Sequence, residues 1–227
     1  MSTPSENVPE CHDCDDRLVA AWEIASIVVS TLIAEWAITT FADDARFIAA
    51  IPIVLALGLM FFSHRLRQEG LKDLGFRRDN FAGALSRLWL PTIIAIALII
   101  FGSWTLGNGI SPRPLRMRLW FVPLWALFQQ YALQGYVNRR AQIALGQGIS
   151  SALLVGVVFG VLHLPSPLLA SLAFIGGFVW ARVYQRTPNL PALALSHTLV
   201  SWTLSLAIPP NLTKHLRIGF KYFGLDI

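Results

Sequence analysis

Two histidines and three glutamines stand inside stretches of sequence that are otherwise apolar, and they set the chemistry this chain could do. Gln129, Gln130 and Gln134 interrupt FVPLWALFQQYALQGYVNRR, residues 121–140; His163 lies in FGVLHLP; His197 and Ser201 stand four apart in LSHTLVS. A side-chain amide buried away from water without a partner costs roughly 1–3 kcal/mol, so three in one helix need a polar destination. Gln130 and Gln134 share a helical face, with Gln129 about a third of a turn away. His163 follows Phe159 by four residues, and His197 and Ser201 can both point into a bundle. Three polar clusters converging inside a membrane would make a site. The competing reading is that they join helices by hydrogen bonds worth on average about 0.6 kcal/mol each.

The elements that must position these groups follow from composition. Of the 227 residues, 55% are hydrophobic and only 14% charged, against roughly 25% charged in soluble domains. The apolar residues come in runs near the ~20-residue length that spans a bilayer. The expected fold class is all-α, a polytopic transmembrane helical bundle of about seven spans, with six to eight as the range. The spans are Leu18–Phe41, Phe47–Phe62, Trp89–Leu106, Leu119–Val137, Ile149–Leu164, Leu168–Tyr184 and Leu190–Ile208. Between the second and third lies SHRLRQEGLKDLGFRRDN, an amphipathic segment suited to the interface. The transmembrane domain is thus residues 18–208, followed by an amphipathic tail, 209–227.

Residues 1–17 form a polar, acidic tail. Its Cys11 and Cys14 make a lone C-x-x-C pair in ECHDCDD, with no second pair and no strand–helix pattern around it, so a metal or redox role is not expected. The tail lacks the basic start and apolar core of a cleavable signal peptide, and the first span is expected to stay in the mature chain.

The net charge of +5 is spread over short loops, a pattern of positive-inside retention and not of nucleic-acid binding. Arg65, Arg67, Lys72, Arg77 and Arg78 share one loop, Arg139 and Arg140 another, and Arg182 and Arg186 flank a third. Seven spans put all three loops on one side with the N-terminus. That side is expected to be cytoplasmic, in a bacterial cytoplasmic membrane, although Arg113, Arg116, Arg118, Lys214, Arg217 and Lys221 fall opposite. Trp89, Trp104, Trp120 and Trp202 mostly stand near span ends, where an aromatic belt belongs.

The three clusters resemble the three motifs of the CAAX prenyl protease and bacteriocin-processing family, also called the abortive-infection family of intramembrane proteases. That family shows EExxxR followed by Gly, then FxxxH, then HxxxN or a near variant. This chain shows QQYALQ followed by Gly135, then Phe159 to His163, then His197 to Ser201, with similar intervals and an LGF-type loop around Gly75. The resemblance covers roughly 121–202 and implies a CAAX-protease-like core at about 119–208. It also implies an intramembrane endopeptidase acting on a membrane-associated peptide or protein. In the family the first Glu, helped by the first His, activates water; the second Glu and the Arg support it, and the later His and Asn stabilise the oxyanion.

Here Gln129 and Gln130 stand at the Glu positions, Gln134 at the Arg position and Ser201 at the Asn position; His163 and His197 are retained. An amide has no proton-accepting state near neutral pH and is a poor metal ligand. Two histidines without a carboxylate make a poor zinc site, so no metal or cofactor is expected. Replacing Glu, Glu and Arg together removes all three charges and avoids leaving a buried Arg uncompensated.

Two functional classes remain, and a third ranks below them. In the first, His163 is the base, Gln129 or Gln130 orients water as an amide does in GTPases, and His197 and Ser201 donate to the oxyanion. In the second, the chain is a pseudoprotease whose cavity binds a peptide or partner helix. A small-molecule or lipid transporter comes third, because the sequence has no repeat symmetry. Glu23 and Glu35, twelve apart in the first span, lie roughly on one face. Either could replace the missing base if that face lines the cavity; a role at the membrane end or in joining helices is the alternative.

Overall fold

The computed structural model describes residues 12–38, 46–108, 118–209 and 217–223, and among them every regular element is helical. Helix α1, His12–Leu32, continues as a π-helical segment, Ile33–Ile38. Helix α2 is Arg46–Leu66 and α3 is Phe81–Thr105. Helix α4, Arg118–Gln130, runs without a break through π-helical Tyr131–Asn138 into α5, Arg139–Leu145. Helices α6, Ile149–Val161, α7, Pro167–Arg186, and α8, Leu190–Ala207, complete the bundle. The seven apolar segments read from the sequence are thus seven helical rods.

Among the described residues, four of the rods are long and apolar enough to cross a membrane: Cys14–Trp36, Phe81–Thr105, Pro167–Arg186 and Leu190–Ala207. Within α2 and α6 the apolar stretches are shorter, Ala50–Leu66 and Ile149–Val161. Large apolar side chains such as Leu55, Leu98 and Leu124 point outward, as they must where the solvent is hydrocarbon. Two boundaries differ from the sequence reading. The third rod starts eight residues before Trp89, because Ser86 and Arg87 sit on an exposed turn that costs the helix little. The fourth runs beyond Val137, because Asn138 and Arg140 find buried partners. The expected tail at 1–17 is helical from His12, and residues 1–11 lie outside the described residues, as do 210–216 and 224–227.

Three devices fix the rods that carry the polar clusters. First, α6 and α7 approach through glycine. A Cβ on Gly156 would come 2.9 Å from the Phe174 carbonyl oxygen, and one on Gly177 would come 3.3 Å from the Gly156 Cα. Small residues four apart, Gly156 and Gly160, let the backbones touch where no hydrophobic force drives membrane helices together.

Second, the loop before α3 clasps the turn between α7 and α8. Gly75, at φ 97, offers its carbonyl to Leu190 N at 2.9 Å. Tyr184 Oη donates to Leu74 O at 2.9 Å, and Asn189 Nδ2 donates to Arg77 O at 2.8 Å. Asn189 also caps α8, its Oδ1 accepting from Ala192 N at 2.9 Å.

Third, the basic loops meet at one end of the bundle around Arg140, whose side chain is fully buried. Its guanidinium pairs with Glu23 of α1 at 3.0 Å and Glu69 at 2.8 Å, and donates to Ser63 Oγ of α2 at 2.8 Å. Arg139 and His64 add hydrogen bonds to Glu69 at 2.7 and 2.6 Å. Burial opposes ionisation of Glu69, yet the bonds from His64, Arg140 and Arg139 hold its pKa well below the usual carboxylate range. Two carboxylates and two guanidiniums together satisfy the condition under which buried charge is tolerable.

Candidate functional site

Between α1, α2, the α4–π rod and α6 lies a cavity of about 360 Å³. Its walls are largely hydrocarbon, from side chains such as Ile27, Met60, Leu133 and Val158, and four polar side chains break them: Thr31, Glu35, Gln129 and His163. This is the shape expected of a small-molecule or peptide site, apolar with a few polar groups aimed inward.

His163 reaches the cavity because α6 ends two residues earlier, at Val161, and the chain turns. Its Nδ1 donates to the Phe159 carbonyl at 2.7 Å, which leaves Nε2 with its lone pair. The four-residue spacing noted in the sequence therefore orients the ring, a positioning bond of the kind that fixes a histidine tautomer.

His197 sits in the middle of α8, buried against Trp180 with ring centroids 4.5 Å apart. Gln130 Nε2 donates to its Nδ1 at 3.3 Å, so the ring proton is on Nε2. Phe159 lies between the two imidazoles, its centroid 4.6 Å from His163 and 5.9 Å from His197, edge-on to both. Trp180 is held in turn: its Nε1 donates to Ser196 Oγ at 3.1 Å, and Ser196 is bonded to Thr92 of α3 at 2.7 Å.

The three glutamines go to three different places. Gln129 lines the cavity, Gln130 turns to His197, and Gln134 joins a separate network. Through Tyr131–Asn138 the backbone bonds run i→i+5, so four residues no longer complete a turn and Gln130 and Gln134 part company. Gln134 Oε1 accepts from Asn138 Nδ2 at 2.8 Å; Gln185 Nε2 donates to Asn138 Oδ1 at 3.2 Å and to Ser151 Oγ at 3.0 Å. That network joins the α4–α5 rod to α6 and α7. Gln130 Oε1 and Gln134 Nε2 are buried and make no hydrogen bond.

Ser201, a turn beyond His197, is half-buried and enters none of these hydrogen bonds. Of the two glutamates in the first rod, Glu23 belongs to the Arg140 cluster and Glu35 faces the cavity. Sequence reading passed over Asn138 and Trp180. Asn138 had a signal, since it continues the four-residue series from Gln130 and Gln134; Trp180 had none, because an aromatic residue in an apolar span is ordinary.

Residues 111–203 match the family model of type II CAAX prenyl endopeptidase Rce1-like proteins. No individual characterised protein and no solved structure matches the chain. The matched residues carry all three glutamines, both histidines and Ser201 on apolar helices of this integral membrane protein, and over this stretch the chain is similar to the CAAX prenyl endopeptidases.

Proposed function

We propose that the chain hydrolyses a peptide bond of a membrane-associated peptide or protein at the cavity shared by Gln129 and His163. The observation that carries this reading is the pairing of an imidazole whose Nε2 is unprotonated with an amide on the same wall. Gln129 orients the water and His163 Nε2 accepts its proton as the oxygen attacks the carbonyl carbon. His197, whose Nδ1 accepts from Gln130, does not line this cavity; on this reading it backs the wall behind Phe159. As the tetrahedral intermediate collapses, His163 returns the proton to the leaving amine. Apolar walls suit a substrate that is itself lipid-embedded or apolar. The basic end, with the N-terminus, faces the cytoplasm of a bacterial cell on this reading.

The second reading, a pseudoprotease that binds a peptide or partner helix, draws on the amides at 129 and 130, which cannot accept a proton. The test uses the full chain in liposomes with two fluorogenic probes, a prenylated peptide ending in a CAAX-type sequence and an unlipidated apolar peptide. Cleavage by the parent that is lost in His163→Ala supports hydrolysis. Cleavage seen only after Gln129→Glu, Gln130→Glu and Gln134→Arg together supports the pseudoprotease. Failure of both chains on both probes rules out hydrolysis of these peptides.

A further inference from the structure

The loop between α2 and α3 has two sides, and the outer one mixes hydrocarbon with positive charge. After α2 ends at Leu66, the chain folds back on itself. Gly70 N donates to Asp73 Oδ2 at 2.9 Å, and Leu74 N and Phe76 N donate to Gly70 O and Leu71 O at 3.1 and 2.9 Å. The folded loop leaves Leu66 68% exposed and Leu71 69%, with Phe76 and Lys72 exposed beside them. Hydrocarbon facing water is unfavourable, so these side chains need an apolar neighbour. The loop leads into α3, a helix long and apolar enough to cross a membrane, which puts the acyl layer within their reach.

The carboxylates of this loop are already engaged. Glu69 serves Arg140, Arg139 and His64, Asp79 pairs with Arg77, and Asp73 accepts from Gly70 N. Exposed Arg65, Lys72 and Arg78 make no ion pair among the described residues, although Asp79 is close enough to Lys72 to feel its charge. Arg186, exposed at the end of α7, adds a cation at the same end of the bundle, where Asn80 Nδ2 donates to Pro188 O at 3.0 Å. Asp15 and Asp16 stand eight and seven residues before Glu23 on α1, roughly 10–12 Å further out along the helix.

Unmatched cations interleaved with hydrocarbon at the end of a membrane-spanning bundle complement a leaflet of anionic phospholipid. The apolar side chains enter the acyl boundary and the long basic ones reach phosphate. We propose that Arg65, Lys72 and Arg78, with Leu66, Leu71 and Phe76, form a binding surface for anionic phospholipid headgroups. Contact there has a route to the histidines. The inner side of the same loop gives Gly75 O to Leu190 N and Leu74 O to Tyr184 Oη, and Arg139 of α5 donates to Asp73 O at 3.0 Å. A headgroup that holds the loop therefore steadies the start of α8, the helix that carries His197. The inference stands on the membrane-spanning fold and is independent of whether the chain cleaves peptides.

The test is thermal unfolding of the full chain in a neutral detergent with phosphatidylglycerol, phosphatidylcholine or inorganic phosphate added. Phosphatidylglycerol is expected to raise the midpoint by about 4 °C or more, and the gain to shrink by about half or more in ~0.5 M NaCl. Phosphatidylcholine and phosphate are expected to give little of that rise. Arg65→Gln, Lys72→Gln and Arg78→Gln together are expected to remove most of it and Leu71→Gln part of it. Arg65→Lys, Lys72→Arg and Arg78→Lys together are expected to keep it. Because these side chains are exposed, the lipid-free midpoint is expected to move by less than about 2 °C. If the glutamine triple fails to fold, its three single substitutions carry the same comparison. No rise with phosphatidylglycerol, or an equal one with phosphatidylcholine, overturns the proposal. So does an undiminished rise in the glutamine variants, or its loss in the charge-conserving triple. A rise reproduced by inorganic phosphate marks a free-anion site and overturns the lipid assignment.

Discussion

Gln130 Nε2 and His197 Nδ1 are 3.3 Å apart, which ties the last residue of α4 to the middle of α8 across 67 positions of sequence. Gln129, one residue earlier, turns to the cavity. Neighbours in sequence therefore have separable tasks. Gln130→Leu removes the donor to a buried imidazole and is expected to lower stability by about 1–3 kcal/mol, read as a fall in the thermal midpoint in detergent. Gln129→Leu is expected to move that midpoint little and to reduce peptide cleavage. Equal effects of the two substitutions on both measurements would contradict the division.

The Arg140 cluster makes the bundle sensitive to single changes at its basic end. Arg140→Ala removes the buried guanidinium that Glu23 and Glu69 share, leaving Glu69 to Arg139 and His64 and Glu23 to Arg67 and Ser63, and the expected cost is about 3 kcal/mol, the low end for breaking a buried pair. The measurement is thermal unfolding at neutral pH, where a drop no larger than that of an exposed control such as Arg87→Ala would refute it.

The same cluster sets an acid limit. The carboxyl of Glu69 has a folded pKa below its ordinary value of 4.5, with burial opposing and His64, Arg140 and Arg139 driving the shift. A depressed carboxylate stabilises the fold fully above the unfolded-state pKa, and that contribution is lost as pH falls through the folded one. The thermal midpoint is therefore expected to decline as pH drops below about 4.5, and Glu69→Gln is expected to flatten that decline while lowering the midpoint at pH 7.

Packing of α6 on α7 depends on the missing side chain at Gly156. Valine there would drive methyl groups into the Phe174 carbonyl, whose oxygen lies only 2.9 Å from where a β-carbon would stand. Overpacking of this kind costs typically about 1–3 kcal/mol. Because α6 carries Phe159 and leads into His163, Gly156→Val is expected to reduce cleavage as well as stability, whereas Leu153→Val on the exposed face of α6 serves as the control expected to do neither.

The Gly75 clasp acts on the other histidine. Gly75→Ala places a side chain at φ 97, against Tyr184 and the backbone nitrogen of Asn189 at 3.2 and 3.3 Å. Left-handed strain and crowding together are expected to cost more than about 1 kcal/mol. Proteolysis in the loop 67–80 would then quicken, and an unchanged proteolytic rate would show that the clasp is dispensable.

Much of this architecture was written into the one-dimensional pattern. Runs of apolar residues near bilayer length, broken by Arg-rich loops, are enough to specify seven rods, because hydrocarbon admits a backbone only as helix or closed barrel and a barrel strand would be about half as long and alternating. Local spacing likewise fixed the bond from His163 to Phe159, which spans one helical turn and needs no other element. Ser166 and Asn189, each followed by Pro at the first or second helical position, marked where α7 and α8 begin.

Tertiary structure decided which polar residues meet. Glu23 and Glu35 lie on one rod at a spacing close to three turns, yet one enters the Arg140 cluster and the other faces the cavity. Gln130 and Gln134 parted because the helix widened after Gln130, a change in winding that no spacing rule signals. The partners themselves, Gln130 with His197 and Arg140 with Glu23 and Glu69, are separated by loops whose length leaves pairing undetermined. Sequence dictates which segments leave water, through transfer free energy summed along the chain; mutual orientation depends on contacts between chain-distant surfaces, such as glycine against backbone at Gly156, that exist only once the rods have packed.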